Sequence, residues 1–151
     1  MLRGIIDISG EENKMFVTEY CSNGSLYDWA KKPDFKKLSD DEKGEIVMRL
    51  LTQLTIAVEM LHKGFLSHRD IKPQNVFVTG NLDFILGDYG MCGEPGIKVG
   101  TKAYFAPEQV LAKKNHTIDF DEQKSIDLFG IGLTAYWLAV GAPGPVKFKK
   151  L

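Results

Sequence analysis

The sequence His68–Asn75 (HRDIKPQN) constrains this chain more than any other feature. It places an acid (Asp70), a lysine (Lys72) and a carboxamide (Asn75) in one short stretch. Asp70 can take a proton from a hydroxyl, Lys72 can neutralise a phosphoryl group in transit, and Asn75 can hold a magnesium ion. Phosphoryl transfer requires such groups because it depends on positioning and charge neutralisation more than on covalent chemistry. The stretch therefore predicts a phosphoryl-transfer site.

A long helix is predicted before this loop. Ser39 and Glu42 have the spacing of a capping box, and apolar residues recur at helical intervals from Ile46 to Leu61. Gly64 supplies a stop signal just beyond them. We therefore expect an amphipathic helix that packs on the core and leads directly into the loop.

A short hairpin is predicted after the loop. Val76–Val78 and Phe84–Leu86 flank a turn signal at Gly80-Asn81, so the two runs should pair. The pairing would carry Asp88 back towards Asn75. Both side chains could then face one metal ion.

An uncharged stretch from Leu128 to Val146 raises the question of a membrane span. Its last third is broken by glycines and prolines, among them Gly141 and Pro143. The helical part, about Leu128 to Val140, is too short to cross a bilayer. We expect a buried core helix and no membrane association.

Composition limits the partners and the compartment. The chain has 151 residues and a formal charge of −1, which suits one domain and gives no electrostatic case for nucleic acid. Cys21 and Cys92 match no disulfide framework or metal spacing, and His62, His68 and His116 are not clustered with other ligands. No signal peptide opens the chain, and we expect a cytoplasmic protein.

The stretch 68–75 resembles the H-R-D-x-K-P-x-N catalytic loop of eukaryotic-type protein kinases. Asp88-Tyr89-Gly90 resembles the family's D-F-G magnesium motif, and Ala106-Pro107-Glu108 resembles the end of its activation segment. Asp127-Leu128-Phe129 is similar to the start of its central hydrophobic helix. Residues 16–21 are similar to the last small-lobe strand and the hinge. The motifs follow the family order at family-like spacing.

The resemblance implies an α+β, protein-kinase-like fold that is mostly the helical large lobe. Residues 1 to about 20 would be a remnant of the small lobe and hinge, and about 21–151 would be the large lobe through the central helix. The glycine-rich loop, the phosphate-gripping lysine and the family's final helices have no counterparts in the sequence, and Lys14, expected in a turn between strands, is a poor substitute. We expect a partial catalytic domain, either a truncated or split gene product or a chain that needs a complementing kinase segment or regulatory protein.

The resemblance also implies roles for the residues around the phosphates. Asp70 would be the base for the substrate hydroxyl, and Lys72 would stabilise the γ-phosphate of ATP. Asn75 and Asp88 would hold Mg²⁺ through oxygen atoms. His68 and Tyr89 would be structural and stack within the lobe, and the hydroxyl of Tyr89 would need a partner. Asp127 would brace the backbone of the catalytic loop.

The adenine side of the site would be formed near the hinge. By the same resemblance, Thr18 aligns with the gatekeeper, and Glu19 and Cys21 would offer backbone hydrogen bonds to adenine. Phe77 would form the floor under the ring, a role compatible with core packing.

The activation segment carries a different prediction. In the family, the residue equivalent to Arg69 commonly pairs with a phosphate there, but no Ser, Thr or Tyr lies between Gly90 and Gly100. We hypothesise that Glu94 substitutes for the phosphate as the partner of Arg69. Lys72 together with Thr101 resembles the Ser/Thr-specific branch.

Three functions remain open from the sequence. The first is ATP-dependent phosphorylation of Ser/Thr hydroxyls in a protein substrate. The alternative is a non-catalytic kinase-like module that binds or regulates, as a pseudokinase or decoy does. A small-molecule phosphotransferase ranks last, because such enzymes tend to lack the residue types found at Arg69 and Lys72.

Overall fold

The computed structural model describes residues 2–7, 14–94, 96, 99–111 and 117–141. Within these ranges the chain is α+β and mostly helical, as predicted. The strands and helices are, in chain order, β1 (Leu2–Asp7), β2 (Lys14–Thr18), α1 (Leu26–Trp29), α2 (Pro33–Lys36), α3 (Asp40–Lys63), β3 (Val76–Val78), β4 (Phe84–Leu86), α4 (Pro107–Leu111) and α5 (Phe120–Ala139). Short 3₁₀ turns occur at Pro73–Asn75, Tyr89–Met91 and Lys102–Tyr104.

β1 and β2 form an antiparallel pair in which Ile5 lies opposite Phe16. Lys14 pairs with Asp7 as the first residue of β2, so its predicted position in a turn is wrong. The ladder continues past the apolar residues because it is made by main-chain groups, which are independent of side-chain polarity.

The predicted capping box starts α3. The Ser39 side chain accepts the Glu42 N–H at 3.3 Å, and the Glu42 carboxylate accepts the Ser39 N–H at 2.8 Å. The helix runs to Lys63, and Gly64 caps its end. The prediction of a long helix leading into the loop is confirmed.

β3 and β4 pair as predicted, with Val76 opposite Leu86. The connecting turn is closed by a hydrogen bond of 2.9 Å from the Thr79 N–H to the Asp83 carbonyl. Its left-handed residue is Leu82, at φ +60°, rather than the glycine that the turn signal contains.

α5 begins at Phe120 rather than at Leu128, where the apolar run starts. The Asp119 carboxylate accepts the Glu122 N–H at 2.9 Å, and the Glu122 carboxylate accepts the Asp119 N–H at 3.1 Å. This second capping box allows two polar turns to precede the apolar stretch. None of the helices in the described ranges has the length and apolar character needed to cross a membrane.

One core joins α1, α3, α5 and the β3–β4 hairpin. The largest fully buried side chain among the described residues is Trp137 of α5, which stacks on Tyr27 at a centroid distance of 5.7 Å. Ile71, from the loop between α3 and β3, belongs to the same core and is 4 % exposed. The loop is therefore anchored by its own side chain as well as by the elements at its two ends.

Candidate active site

Asp70, Lys72 and Thr101 form one hydrogen-bonded group. The Lys72 ammonium lies 2.6 Å from Asp70 Oδ2 and 2.8 Å from Thr101 Oγ1. The main-chain N–H of Thr101 donates to Asp70 Oδ1 at 2.8 Å. Both carboxylate oxygens are thus held, one by the catalytic loop and one by the segment before α4.

Asn75 also belongs to this group, through its contacts with Asp70. Its side-chain nitrogen donates to the Asp70 carbonyl at 2.8 Å and to Asp70 Oδ2 at 3.1 Å. The residue is 4 % exposed and ends the 3₁₀ turn that begins at Pro73. Because the amide nitrogen is used on Asp70, the amide oxygen is the atom left to accept a cation.

The pKa of Asp70 reflects two opposing effects. Burial would raise it, but the hydrogen bonds from Lys72 and Thr101 outweigh burial, and the pKa of Asp70 lies below its ordinary value. The carboxylate is therefore ionised at neutral pH, which is the state that a proton acceptor requires.

Asp127 of α5 fixes the backbone of the loop, as predicted. Its side chain is 1 % exposed and accepts the main-chain N–H groups of His68 and Arg69, each at 2.9 Å. The ring nitrogen of His62 lies 3.0 Å from the same carboxylate. The sequence reasoning missed this contact, because no local pattern relates a histidine at the end of α3 to the middle of α5.

His68 and Tyr89 contact each other edge to face, with ring centroids 5.4 Å apart, in agreement with the predicted stacking. The Tyr89 hydroxyl donates to the Leu86 carbonyl at 2.8 Å, which supplies the expected partner. His68 Nε2 lies 2.9 Å from the Gly87 carbonyl. Burial is the main reason why the pKa of His68 lies below its ordinary value, so the ring is neutral at pH 7.

Asp88 follows the hairpin on the side of Asn75. The Gly87 N–H donates to the Asn75 carbonyl at 2.9 Å, and Asp88 comes next with an exposed side chain and φ +57°. Within the described ranges, no three His, Cys, Asp or Glu side chains cluster as a metal site. Asn75 and Asp88 each carry a side-chain oxygen, which is the type of donor that Mg²⁺ prefers.

The residues predicted to contact adenine lie at the end of β2 and on β3. Thr18 is exposed and Glu19 is half-buried, and the Cys21 thiol lies 3.7 Å from the Glu19 carbonyl. Phe77 is half-buried and pairs with Ser25 in an isolated bridge. The structure thus joins the segment that follows Cys21 to the hairpin.

Arg69 reaches the segment after Tyr89, but not in the predicted manner. Its guanidinium donates to the main-chain carbonyls of Met91 and, at 3.1 Å, of Glu94. The contact with Glu94 thus uses the main-chain oxygen, and the hypothesis of a carboxylate partner is replaced. A neutral carbonyl serves because the guanidinium has five donors, which need acceptors but no opposite charge.

Comparison with known proteins gives the family. The family model of the protein kinase domain matches residues 4–147. The serine/threonine-protein kinase ppk16 of Schizosaccharomyces pombe is 32% identical over 139 residues, covering 87% of this chain and 19% of that protein. The probable serine/threonine-protein kinase nek2 of Dictyostelium discoideum is 32% identical over 136 residues, covering 84% of this chain and 30% of that protein.

A viral relative agrees with these two. Serine/threonine-protein kinase 1 of the Heliothis zea nuclear polyhedrosis virus is 31% identical over 133 residues, covering 86% of this chain and 45% of that protein. The chain belongs to the protein kinase family, and it spans less than half the length of each of these relatives. The match to the family model confirms the predicted family, and together with the mostly helical α+β structure it confirms the predicted fold class. Members of the family use ATP and Mg²⁺ and act on proteins.

Proposed function

We propose that this chain supplies the catalytic loop of a serine/threonine protein kinase, which transfers the γ-phosphoryl group of ATP to Ser or Thr hydroxyls of proteins. The observation that carries the proposal is the group formed by Asp70, Lys72, Thr101 and Asn75. In it, an ammonium group and an amide nitrogen both donate to one oxygen of an ionised carboxylate, and the ammonium also donates to the Thr101 hydroxyl.

Asp70 is the proton acceptor in this proposal. The substrate hydroxyl oxygen forms a bond to the γ-phosphorus while the bond from that phosphorus to the bridging β–γ oxygen breaks. The hydroxyl proton passes to a carboxylate oxygen of Asp70, and ADP leaves with the bridging oxygen. The hydrogen bond from Thr101 to Oδ1 keeps the carboxylate in place during this step.

The ammonium group of Lys72 can bind the substrate as well as Asp70. Its ammonium has three donors, and two of them are used on Asp70 and Thr101. The third can bind an oxygen of the phosphoryl group in transit, where negative charge must be stabilised. Lys72 thus links the proton acceptor to the group that is transferred.

The cation and the nucleotide have proposed positions as well. Asn75, through its amide oxygen, and Asp88, through its carboxylate, would hold Mg²⁺. Thr18, Glu19 and Cys21 would line the adenine, with Phe77 beneath it. Bound Mg²⁺ would neutralise charge on the phosphates.

Further polypeptide would complete the domain. We assign residues 1 to about 20 to the small lobe and hinge and about 21–151 to the large lobe. α5 exposes Leu128 by 53% and Tyr136 by 57%, and a core helix does not normally leave such side chains open. A complementing kinase segment, in the same polypeptide or in another, would cover these side chains.

The test is phosphoryl transfer from radiolabelled ATP to a mixture of Ser- and Thr-containing peptides by the native protein. Asp70→Asn should reduce the rate by roughly 10³-fold or more, because the proton acceptor is lost. Asp41→Asn is the matched control, since Asp41 is exposed at the opposite end of α3. If the native protein binds ATP but transfers no phosphoryl group, the chain belongs to a non-catalytic kinase-like module instead.

A further inference from the structure

The guanidinium of Arg69 is directed at main-chain oxygens of the segment that follows Tyr89. Nε donates to the Met91 carbonyl, and Nη1 donates to the Glu94 carbonyl at 3.1 Å. A charged donor on a neutral acceptor is stronger than an ordinary backbone hydrogen bond. One side chain therefore fixes residues 91–94 at two points.

The same segment is held from the other side by a backbone bridge. The Ser67 N–H donates to the Gly93 carbonyl at 3.0 Å, and the Gly93 N–H donates to the Ser67 carbonyl at 3.1 Å. A Cβ atom at Gly93 would lie 2.7 Å from Nη2 of Arg69, so a side chain at this position would displace the guanidinium. The bridge and the guanidinium together clamp residues 91–94 onto the catalytic loop.

Hydroxyl groups that could carry an activating phosphate are missing or engaged around this clamp. The sequence from Gly90 to Gly100 has no Ser, Thr or Tyr. On either side, Tyr89 donates its hydroxyl to a main-chain carbonyl, and Thr101 accepts from Lys72. Tyr104, the next hydroxyl, is 8% exposed.

We propose that Arg69 orders the start of the activation segment through main-chain carbonyls, so that this segment is in place without phosphorylation. In segments switched by phosphorylation, the added charge creates new hydrogen bonds to arginine that order the loop. Here two donors of Arg69, Nε and one on Nη1, already have main-chain acceptors that are permanently present. The enzyme would therefore need no upstream kinase to order this segment. This consequence rests on the proposed function.

Amide hydrogen exchange of the native protein, measured before and after treatment with a nonspecific phosphatase, tests the proposal. Cys92 and Gly93 donate their amides to carbonyls and report on the segment. We expect both to stay protected after treatment. Arg69→Gln should speed their exchange by at least about tenfold, because the guanidinium is lost. Glu94→Ala is the matched control and should change it by less than about twofold, because the main-chain carbonyl remains.

Two further measurements distinguish a loss of order in residues 91–94 from misfolding and from failure of the proposed function. The amides of Leu54 and Val58 in α3 should stay protected in every variant, which shows that the core is intact. Protection of Gly93 that disappears on phosphatase treatment would overturn the proposal, and so would a Glu94→Ala variant that behaves like Arg69→Gln. A protected Gly93 with no phosphoryl transfer in either preparation would support the ordering and refute the proposed function instead.

Discussion

The Asp127 carboxylate accepts the main-chain N–H of Arg69 at 2.9 Å, and this bond joins the middle of α5 to the loop that carries Asp70. Arg69 has φ +67°, a left-handed conformation that costs a non-glycine residue roughly 1–2 kcal/mol. The bond to Asp127 and the guanidinium contacts offset that cost. The conformation of the loop is therefore maintained by α5 and by the segment after Tyr89, in addition to the loop's own sequence.

Asp127→Asn should destabilise the fold and slow phosphoryl transfer. The carboxylate offers acceptors to two main-chain N–H groups and to His62, whereas an amide would turn a donor towards at least one of them. We expect the free energy of unfolding, measured by urea denaturation, to fall by about 2–4 kcal/mol. Its dependence on urea concentration should be the same in both proteins. Asp121→Asn is the control, because Asp121 is exposed on the same helix and its ion pair with Lys124 is worth at most about 1 kcal/mol. Equal effects of the two variants would contradict this view of Asp127.

Two glycines of α5 should respond differently to substitution by alanine. A Cβ at Gly130 would lie 3.0 Å from Ile71 Cβ and 3.2 Å from the Ile71 carbonyl, whereas a Cβ at Gly132 meets nothing within 4 Å. Gly132→Ala should raise the free energy of unfolding by up to about 1 kcal/mol, through helix propensity alone. Gly130→Ala should lack this gain and lower kcat, because it pushes on the residue next to Asp70. Thermal unfolding and peptide phosphorylation check both, and a Gly130→Ala variant as stable and active as Gly132→Ala would disprove the close packing.

The sequence predicted the elements whose signals are local. The capping box of Ser39 and Glu42 and the two apolar runs of the hairpin lie within a few residues of what they determine, and both predictions are confirmed. The start of α5 was misplaced because the apolar run at Leu128 was used as the boundary. The equally local capping box at Asp119 would have identified it.

Contacts between distant segments could be predicted only where the family resemblance supplied them. The bracing by Asp127 and the stacking of His68 on Tyr89 came from that source. The His62 contact and the choice of main-chain carbonyls by Arg69 depend on how the chain brings distant segments together, and no residue spacing encodes them.

His68 should make the folded state sensitive to mild acid. Its pKa lies below its ordinary value, chiefly through burial, while the Gly87 carbonyl and nearby carboxylates oppose the shift. The unfolded chain, with a pKa of about 6.5, therefore takes up the proton first. The stability that the neutral ring contributes is complete above about pH 6.5 and is lost as the pH falls through the folded pKa, at up to about 1.4 kcal/mol per pH unit.

His68→Phe should remove that part of the slope. The variant keeps a ring against Tyr89 but has no titrating group, so its free energy of unfolding should be lower at pH 8 and flatter from about pH 6.5 to 5. Tyr89→Phe is the control, because it loses only the hydroxyl bond to Leu86 and should keep the wild-type slope. Urea denaturation across this pH range measures both. An unchanged slope in His68→Phe would mean that another group is responsible.

Lys72→Met should move the acid limb of the pH–rate profile. In the native site, burial would raise the pKa of Asp70, and the hydrogen bonds from Lys72 and Thr101 lower it. Removing the ammonium leaves burial opposed mainly by Thr101, so the pKa of Asp70 should rise and kcat/KM should begin to fall at a higher pH. The rate at neutral pH should also drop by roughly 10²-fold, because a donor to the transferring group is lost.

The profile of kcat/KM, measured from pH 8 down to the lowest pH at which both proteins stay folded, separates the two effects of Lys72. Lys63→Met is the matched control, since Lys63 is 71% exposed and pairs with Glu59 on the surface of α3. It should leave both the rate and the acid limb unchanged. If Lys72→Met lowers the rate but the acid limb stays where it is, Lys72 acts on the phosphoryl group alone, and the ionisation of Asp70 depends on Thr101 instead.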